Sequence, residues 1–111
     1  MNSKATTAKI RDLNDQLRKT GIGGRIMITA GIKSMGEKAI AEIIAKVRSF
    51  NEFTKNNDPY GEHDFGKIMH GHEAIFFKFD YYDRNMEYAS PDPSDPKVTV
   101  RVMTIMQAME Y

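Results

Sequence analysis

Eight consecutive residues, Ile75-Phe76-Phe77-Lys78-Phe79-Asp80-Tyr81-Tyr82, carry an alternation that an extended strand can use. With a side-chain period of two, Ile75, Phe77, Phe79 and Tyr81 share one face. Phe76, Lys78, Asp80 and Tyr82 share the other. A strand with so large an apolar face must be covered by a second layer. The strand is read over Glu73–Tyr82, with Asp64–Met69 as its hairpin partner, turning around His70-Gly71-His72. Core packing of the first face leaves Phe76 and Tyr82 to cover helices or a partner.

Two amphipathic segments supply the covering layer. Ile10, Leu13 and Leu17 recur at helical spacing from about Ala8 to Lys19, with Arg11, Asp12, Asp15, Arg18 and Lys19 opposite. Gly21 and Gly23-Gly24 stop that helix. Arg25–Ala30 reads as a short buried strand, ended by Gly31. Ser34 and Glu37 make a capping-box pattern before a stripe of Ile40, Ile43, Ile44, Val47 and Phe50. Asn56-Asn57-Asp58-Pro59 breaks this helix. Met86–Ala89 is read as a third strand after the Asp83-Arg84-Asn85 turn. Ser90–Pro96 is a rigid connector, with Asp95 as an N-cap and Pro96 at the first helical position. Beyond it, Val98, Val102, Ile105, Met106 and Met109 fit one helical face. The alternation Val98-Thr99-Val100-Arg101-Val102 argues for a strand; the length of the pattern favours a helix over 96–110. The expected fold is α+β, order α-β-α-β-β-β-α, a small mostly antiparallel sheet with helices on one face.

At 111 residues the chain reads as one domain, 1–111, with 1–7 as a flexible N-terminus. Charged residues make up 28% and no run approaches the roughly 18 apolar residues of a membrane span. Met1–Ala5 lacks the apolar core of a secretion signal. The absence of cysteine excludes disulfides and thiolate zinc sites. These features point to the cytoplasm and away from membranes. The net charge of +1 hides an asymmetry. Residues 1–57 hold 11 Lys/Arg against 5 Asp/Glu, and residues 58–111 hold 5 against 10. Folding either intermixes these charges or leaves a bipolar surface that steers partners. Lys78 is the only cation in the aromatic run and Asp80 and Asp83 flank it, so direct nucleic-acid binding is not expected.

Asn57-Asp58-Pro59-Tyr60-Gly61-Glu62-His63-Asp64-Phe65-Gly66 concentrates turn formers, carboxylates and a histidine before the hairpin. A histidine oriented by a carboxylate is the minimal proton-transfer unit, making His63 and Asp64 the candidate catalytic residues, with Asp80 as another carboxylate. Adjacent strand residues point to opposite faces, so Glu62, His63 and Asp64 do not converge on one ion, and neither metal nor cofactor is expected. The competing reading makes Asp58, Glu62 and Asp64 acceptors in a tight turn, with His63 bridging strands. His70-x-His72 lies at the hairpin tip and reads as a solvated turn. Gly21-x-Gly23-Gly24 precedes a strand rather than a helix, the wrong order for a phosphate cradle, and Gly31 alone is a weak phosphate signal.

Gly61-Glu62-His63-Asp64-Phe65-Gly66 and Asp80-Tyr81-Tyr82-Asp83 resemble the signature of an uncharacterised bacterial domain-of-unknown-function family. Leu13-Asn14-Asp15, Gly24–Gly31, Ser90–Pro93, Arg101–Met106 and Glu110-Tyr111 extend the likeness over nearly the whole chain; His70 and His72 lie outside it. The resemblance transfers no catalytic residue. It implies a setting on plasmids and other mobile elements of proteobacteria, among anti-restriction and similar accessory genes. The expected function is therefore a non-catalytic inhibitor that binds a host defence complex, of restriction or CRISPR type, in place of nucleic acid. Its partner-binding residues are expected among Asp58, Tyr60, Glu62, His63, Asp64, Asp80, Tyr82, Asp83, Asp92 and Asp95. A small metal-dependent hydrolase or nuclease using His63 with Asp64 or Asp80, and a homodimeric regulatory module, are the alternatives.

Overall fold

The computed structural model describes residues 4–111. The chain forms α1 (Lys4–Thr20), β1 (Arg25–Ile28), α2 (Ala30–Lys33), α3 (Glu37–Ser49), β2 (Phe65–His70), β3 (Glu73–Tyr82), β4 (Val100–Gln107) and a 3-10 turn, Ala108–Glu110. The fold is α+β. Of the N-terminal stretch expected to be flexible, residues 1–3 lie outside the described residues, and α1 takes in 4–7.

The sheet has the order β1-β4-β3-β2. β2 and β3 form the expected hairpin, and β3 runs antiparallel to β4. β1 lies parallel to β4, so the sheet is mixed. Ile75, Phe77 and Phe79 are buried, joining Leu17 of α1, Ile32 of α2, Ile43 and Val47 of α3, and Met103 and Ile105 of β4. The alternation of β3 thus selects its core face as expected.

β4 is where the structure departs furthest from the expected fold. The segment expected as a helix over 96–110 is a strand followed by a single 3-10 turn. β4 lies between β1 and β3, and Val102, Met103, Ile105 and Met106 are all buried. A strand buried on both faces loses its period of two, and its apolar run then imitates the i, i+3, i+4 stripe of a helix. Asp95 accepts a hydrogen bond from the Lys97 amide at 2.9 Å, forming a turn rather than a helix cap. Met86–Ala89 is not a strand: Ala89 makes one isolated bridge to Tyr82, and Met86 has φ of 57°.

β1 is an edge strand with Met27 half exposed, not a buried one. Gly36, not Ser34, precedes the first turn of α3; Ser34 closes α2. α2 exists because the Thr29 hydroxyl accepts from the Ile32 amide. Gly31 donates its amide to the Glu110 carboxylate, so an anion of the same chain meets the lone glycine of the phosphate reading. Gly21, at φ of 78°, ends α1 by donating to the Leu17 carbonyl.

Gly66 faces the core across from Phe77. A Cβ there would fall 2.3 Å from the Phe77 ring and 3.2 Å from Phe50. Gly66→Ala is expected to lower stability by about 1–3 kcal/mol through overpacking. A reduced urea midpoint with an unchanged slope would register that loss. An unchanged midpoint would mean that the two rings move aside freely.

Candidate functional site

The loop between α3 and β2 is organised around the buried Asp58 carboxylate. The Asp58 amide donates to Thr54, the Asp58 carbonyl accepts from Gly61, and its Oδ1 accepts from the His63 amide at 3.1 Å. Gly61 and His63 both lie in the left-handed region, with φ of 73° and 56°. That conformation is unusual for a histidine and is maintained here by contacts from three directions. Nδ1 of His63 lies 2.9 Å from Asp15 Oδ1, and Nε2 lies 3.8 Å from Asp58 Oδ2. The imidazole stacks on Phe53 with ring centres 3.8 Å apart and planes within 5°.

α1 supplies the partners for this loop from one helical face, Arg11, Asn14, Asp15 and Arg18. Arg11 donates to the Gly61 carbonyl. The Asn14 amide nitrogen donates to the Glu62 carbonyl at 3.1 Å and to the Tyr81 hydroxyl at 2.8 Å. That hydroxyl donates to the Glu62 carboxylate at 3.0 Å. Asn14 Oδ1 accepts from Arg101 Nε at 2.6 Å, while Arg101 Nη2 donates to the Pro93 carbonyl. Arg101 also lies over the Tyr81 ring, 5.2 Å from its centre. Burial holds the Tyr81 phenol far above its ordinary range.

Arg18, which the helical spacing places opposite the apolar stripe of α1, is buried. Its Nη1 donates to the carbonyls of Val47, Arg48 and Phe50, where α3 ends, and its Nη2 to Asp15 at 3.0 Å. A cation at a helix C-terminus satisfies carbonyls that have no partner within the helix. Its Cζ lies over the rings of Phe53 and Phe77, 5.3 Å and 5.8 Å from their centres.

The expected site residues divide between two places. Asp58 and Glu62 face inward, into the network with α1; His63 joins that network and, with Asp15 and Phe53, also lines a separate pocket of about 170 Å³. Tyr60, Asp64 and Asp80 line a surface cleft of about 320 Å³, together with Lys78 and Tyr111. Lys78 Nζ lies 2.7 Å from Asp80 Oδ2, and this hydrogen bond raises the Lys78 pKa. Burial pushes the Asp64 carboxyl above the usual carboxylate value, and the charge of Glu62 adds to the shift. Asp83, Asp92 and Asp95 lie in the connector that follows, where each accepts backbone hydrogen bonds of its own turn. Ser94 hydrogen bonds hold the Asp92 carboxyl below its ordinary value. Tyr82 pairs with Val100, on the sheet face away from the core. His63 meets Asp15 and Asp58 rather than Asp64 or Asp80. Among the described residues no three His, Asp or Glu side chains converge to hold a metal ion. His70 sits 3.7 Å from Glu42, and His72 is in the hairpin turn.

Asn14, Asp15, Arg18, Phe53 and Arg101 were not among the expected site residues. One signal was available: Asn14 lies next to the stripe of Ile10, Leu13 and Leu17, and Arg101 interrupts an apolar strand.

The family described as protein of unknown function (DUF3768) matches residues 28–110, a span that begins after α1. No curated protein and no solved structure matches the chain.

Asn14→Ala removes a donor and an acceptor that reach Glu62, Tyr81 and Arg101. A loss of about 2–4 kcal/mol is expected in chemical denaturation, because buried polar groups are left unpaired. Asp64 gives a pH test. Its folded pKa is raised, so its favourable contribution is fully present below the ordinary value of 3.8 and is lost as pH rises through the folded value. Asp64→Asn is therefore expected to melt higher than the parent at pH 7, with the gap closing below pH 4. A gap independent of pH would remove burial as its cause.

Proposed function

Because the chain belongs to the DUF3768 family of proteins of unknown function, we propose its role from its own geometry: a non-catalytic binding protein that uses the outer side of the Asp58–Asp64 loop. The carrying observation is the environment of His63. Both ring nitrogens face carboxylates and one ring face is covered by Phe53. An imidazole held in this way locks a loop; a general base needs a nitrogen turned toward substrate. The alternative pairing of His63 with Asp64 or Asp80 in a hydrolase has no such support.

The locked loop presents a cleft suited to a partner. Tyr60 and Tyr111 are each 75% exposed at its rim, and aromatic side chains are frequent anchors of protein interfaces. Asp64 and Asp80 place carboxylates between them, partly balanced by Lys78. The partner class we propose is a basic, nucleic-acid-processing complex of host defence, met in the cytoplasm. The resemblance to mobile-element proteins supports that setting, and an acceptor array beside exposed tyrosines fits a channel that binds phosphates. The mimicry then rests on Asp64 and Asp80 more than on Asp83, Asp92 and Asp95, which serve their own turns.

Plasmid and phage survival in defended bacteria tests this reading. Expression of the chain is expected to protect the invading DNA, and Tyr60→Ala/Tyr111→Ala to reduce protection at least about tenfold, the loss of one interface anchor. Both tyrosines are exposed, but the Tyr111 ring meets Phe65 and Phe76 edge-on, so the melting temperature of the double variant is measured beside its protection. Absence of protection across several defence systems, or full protection by the folded double variant, counts against the proposal.

A further inference from the structure

We propose that the free edge of β2 is a docking strand for an extended acidic segment of a partner protein, which adds to the sheet beside β2. The inference rests on the hairpin, not on the cleft above. β2 and β3 are joined by the two residues Gly71 and His72, and the last pair is His70–Glu73. A two-residue hairpin makes that pair a hydrogen-bonded one, and such pairs alternate along an antiparallel ladder. Phe65, Lys67 and Met69 therefore turn their peptide groups away from β3. Met69 carries the direct sign of this, since its carbonyl accepts from Lys46 Nζ at 2.6 Å. Among the described residues, that ammonium is the one group hydrogen-bonded to the outer edge of β2.

Beside this edge lies a groove of about 440 Å³ between the end of α3 and β2. Lys46, Ser49, Phe50, Lys67, Ile68 and Met69 line it. Lys46 reaches it from α3, on the core side of the sheet. Lys67 pairs with Phe76 and so lies on the opposite face. A strand laid along β2 would turn successive side chains to these two sides in alternation. Two adjacent acidic residues of such a segment would meet Lys46 and Lys67, while the residues around them contact Phe50, Ile68 and Met69. Glu52 is the one carboxylate among the lining residues, leaving the groove net positive. Addition of a strand supplies affinity through backbone hydrogen bonds and specificity through alternate side chains.

A second copy of the chain fits less well. Antiparallel pairing of β2 with itself would bring Lys67 near its own counterpart, and like charges across a strand pair are unfavourable. Lysines also guard edge strands against unprogrammed pairing, which gives the experiment its opposing outcome.

The probe is a displayed library of linear peptides, panned on the full chain, with selected peptides measured by fluorescence anisotropy and mapped by amide NMR shifts. Selected sequences are expected to contain adjacent acidic residues and to move the amides of Phe65–His70. Backbone N-methylation of the peptide should abolish binding. Lys67→Glu should weaken binding at least about tenfold with the melting temperature retained, and Lys46→Glu/Lys67→Glu should weaken it further, its fold being checked because Lys46 bonds the Met69 carbonyl. The proposal is overturned if no selected peptide moves β2 amides or if the charge-reversed chains bind equally. It also fails if Lys67→Ala associates with itself at this edge, by sedimentation, without gaining or losing peptide.

Discussion

The hydrogen bonds of one face of α1 are the constraint on which the rest of the structure depends. Asn14 and Arg18 are buried, and a buried amide or guanidinium must find partners. Asn14 finds them in Glu62, Tyr81 and Arg101. Arg18 Nη1 and Nη2 find them in the last carbonyls of α3 and in Asp15, while its buried Nε makes no hydrogen bond. One helix thereby fixes the end of α3, the loop before β2, the end of β3 and the start of β4. The apolar core alone would tolerate some sliding of α1 over the sheet; donors and acceptors with fixed directions do not.

The loop is built from the inside outward. Its buried Asp58 and left-handed His63 face the network, and this orientation leaves Tyr60 and Asp64 on the other side. The same residues that look reactive in the sequence thus divide into a supporting set and a presenting set. The side on which each falls follows from backbone direction, not from chemical type. For this reason the proposed binding surface holds neither the histidine nor Glu62.

The sheet shows a related division. β4 is enclosed by β1 and β3, whereas β2 has a partner on one side only. An inner strand is stabilised by ladders on both edges and apolar contact on both faces. An outer strand retains unused peptide groups, which must be guarded or bound. The Lys46 contact with the Met69 carbonyl lies at that junction. The two recognition surfaces proposed here are therefore distinct: an aromatic and acidic cleft formed by side chains, and a basic groove along a strand edge.

The sequence by itself determined what depends on neighbours a few residues apart. The β3 alternation, the β2–β3 hairpin, the apolar stripe of α3 and the glycine stop of α1 are all written in local spacing, and all are present in the fold. Tertiary structure decided what depends on distant partners. Asp15 meets His63 across 48 positions, and Asn14 meets Arg101 across 87. No spacing rule selects those pairs, because a polar side chain on a helix or strand has the same local pattern whether it meets water or a buried partner. β4 was hidden for the same reason. Its place between two strands, not its own period, put apolar residues on both faces and erased the alternation by which a strand is recognised.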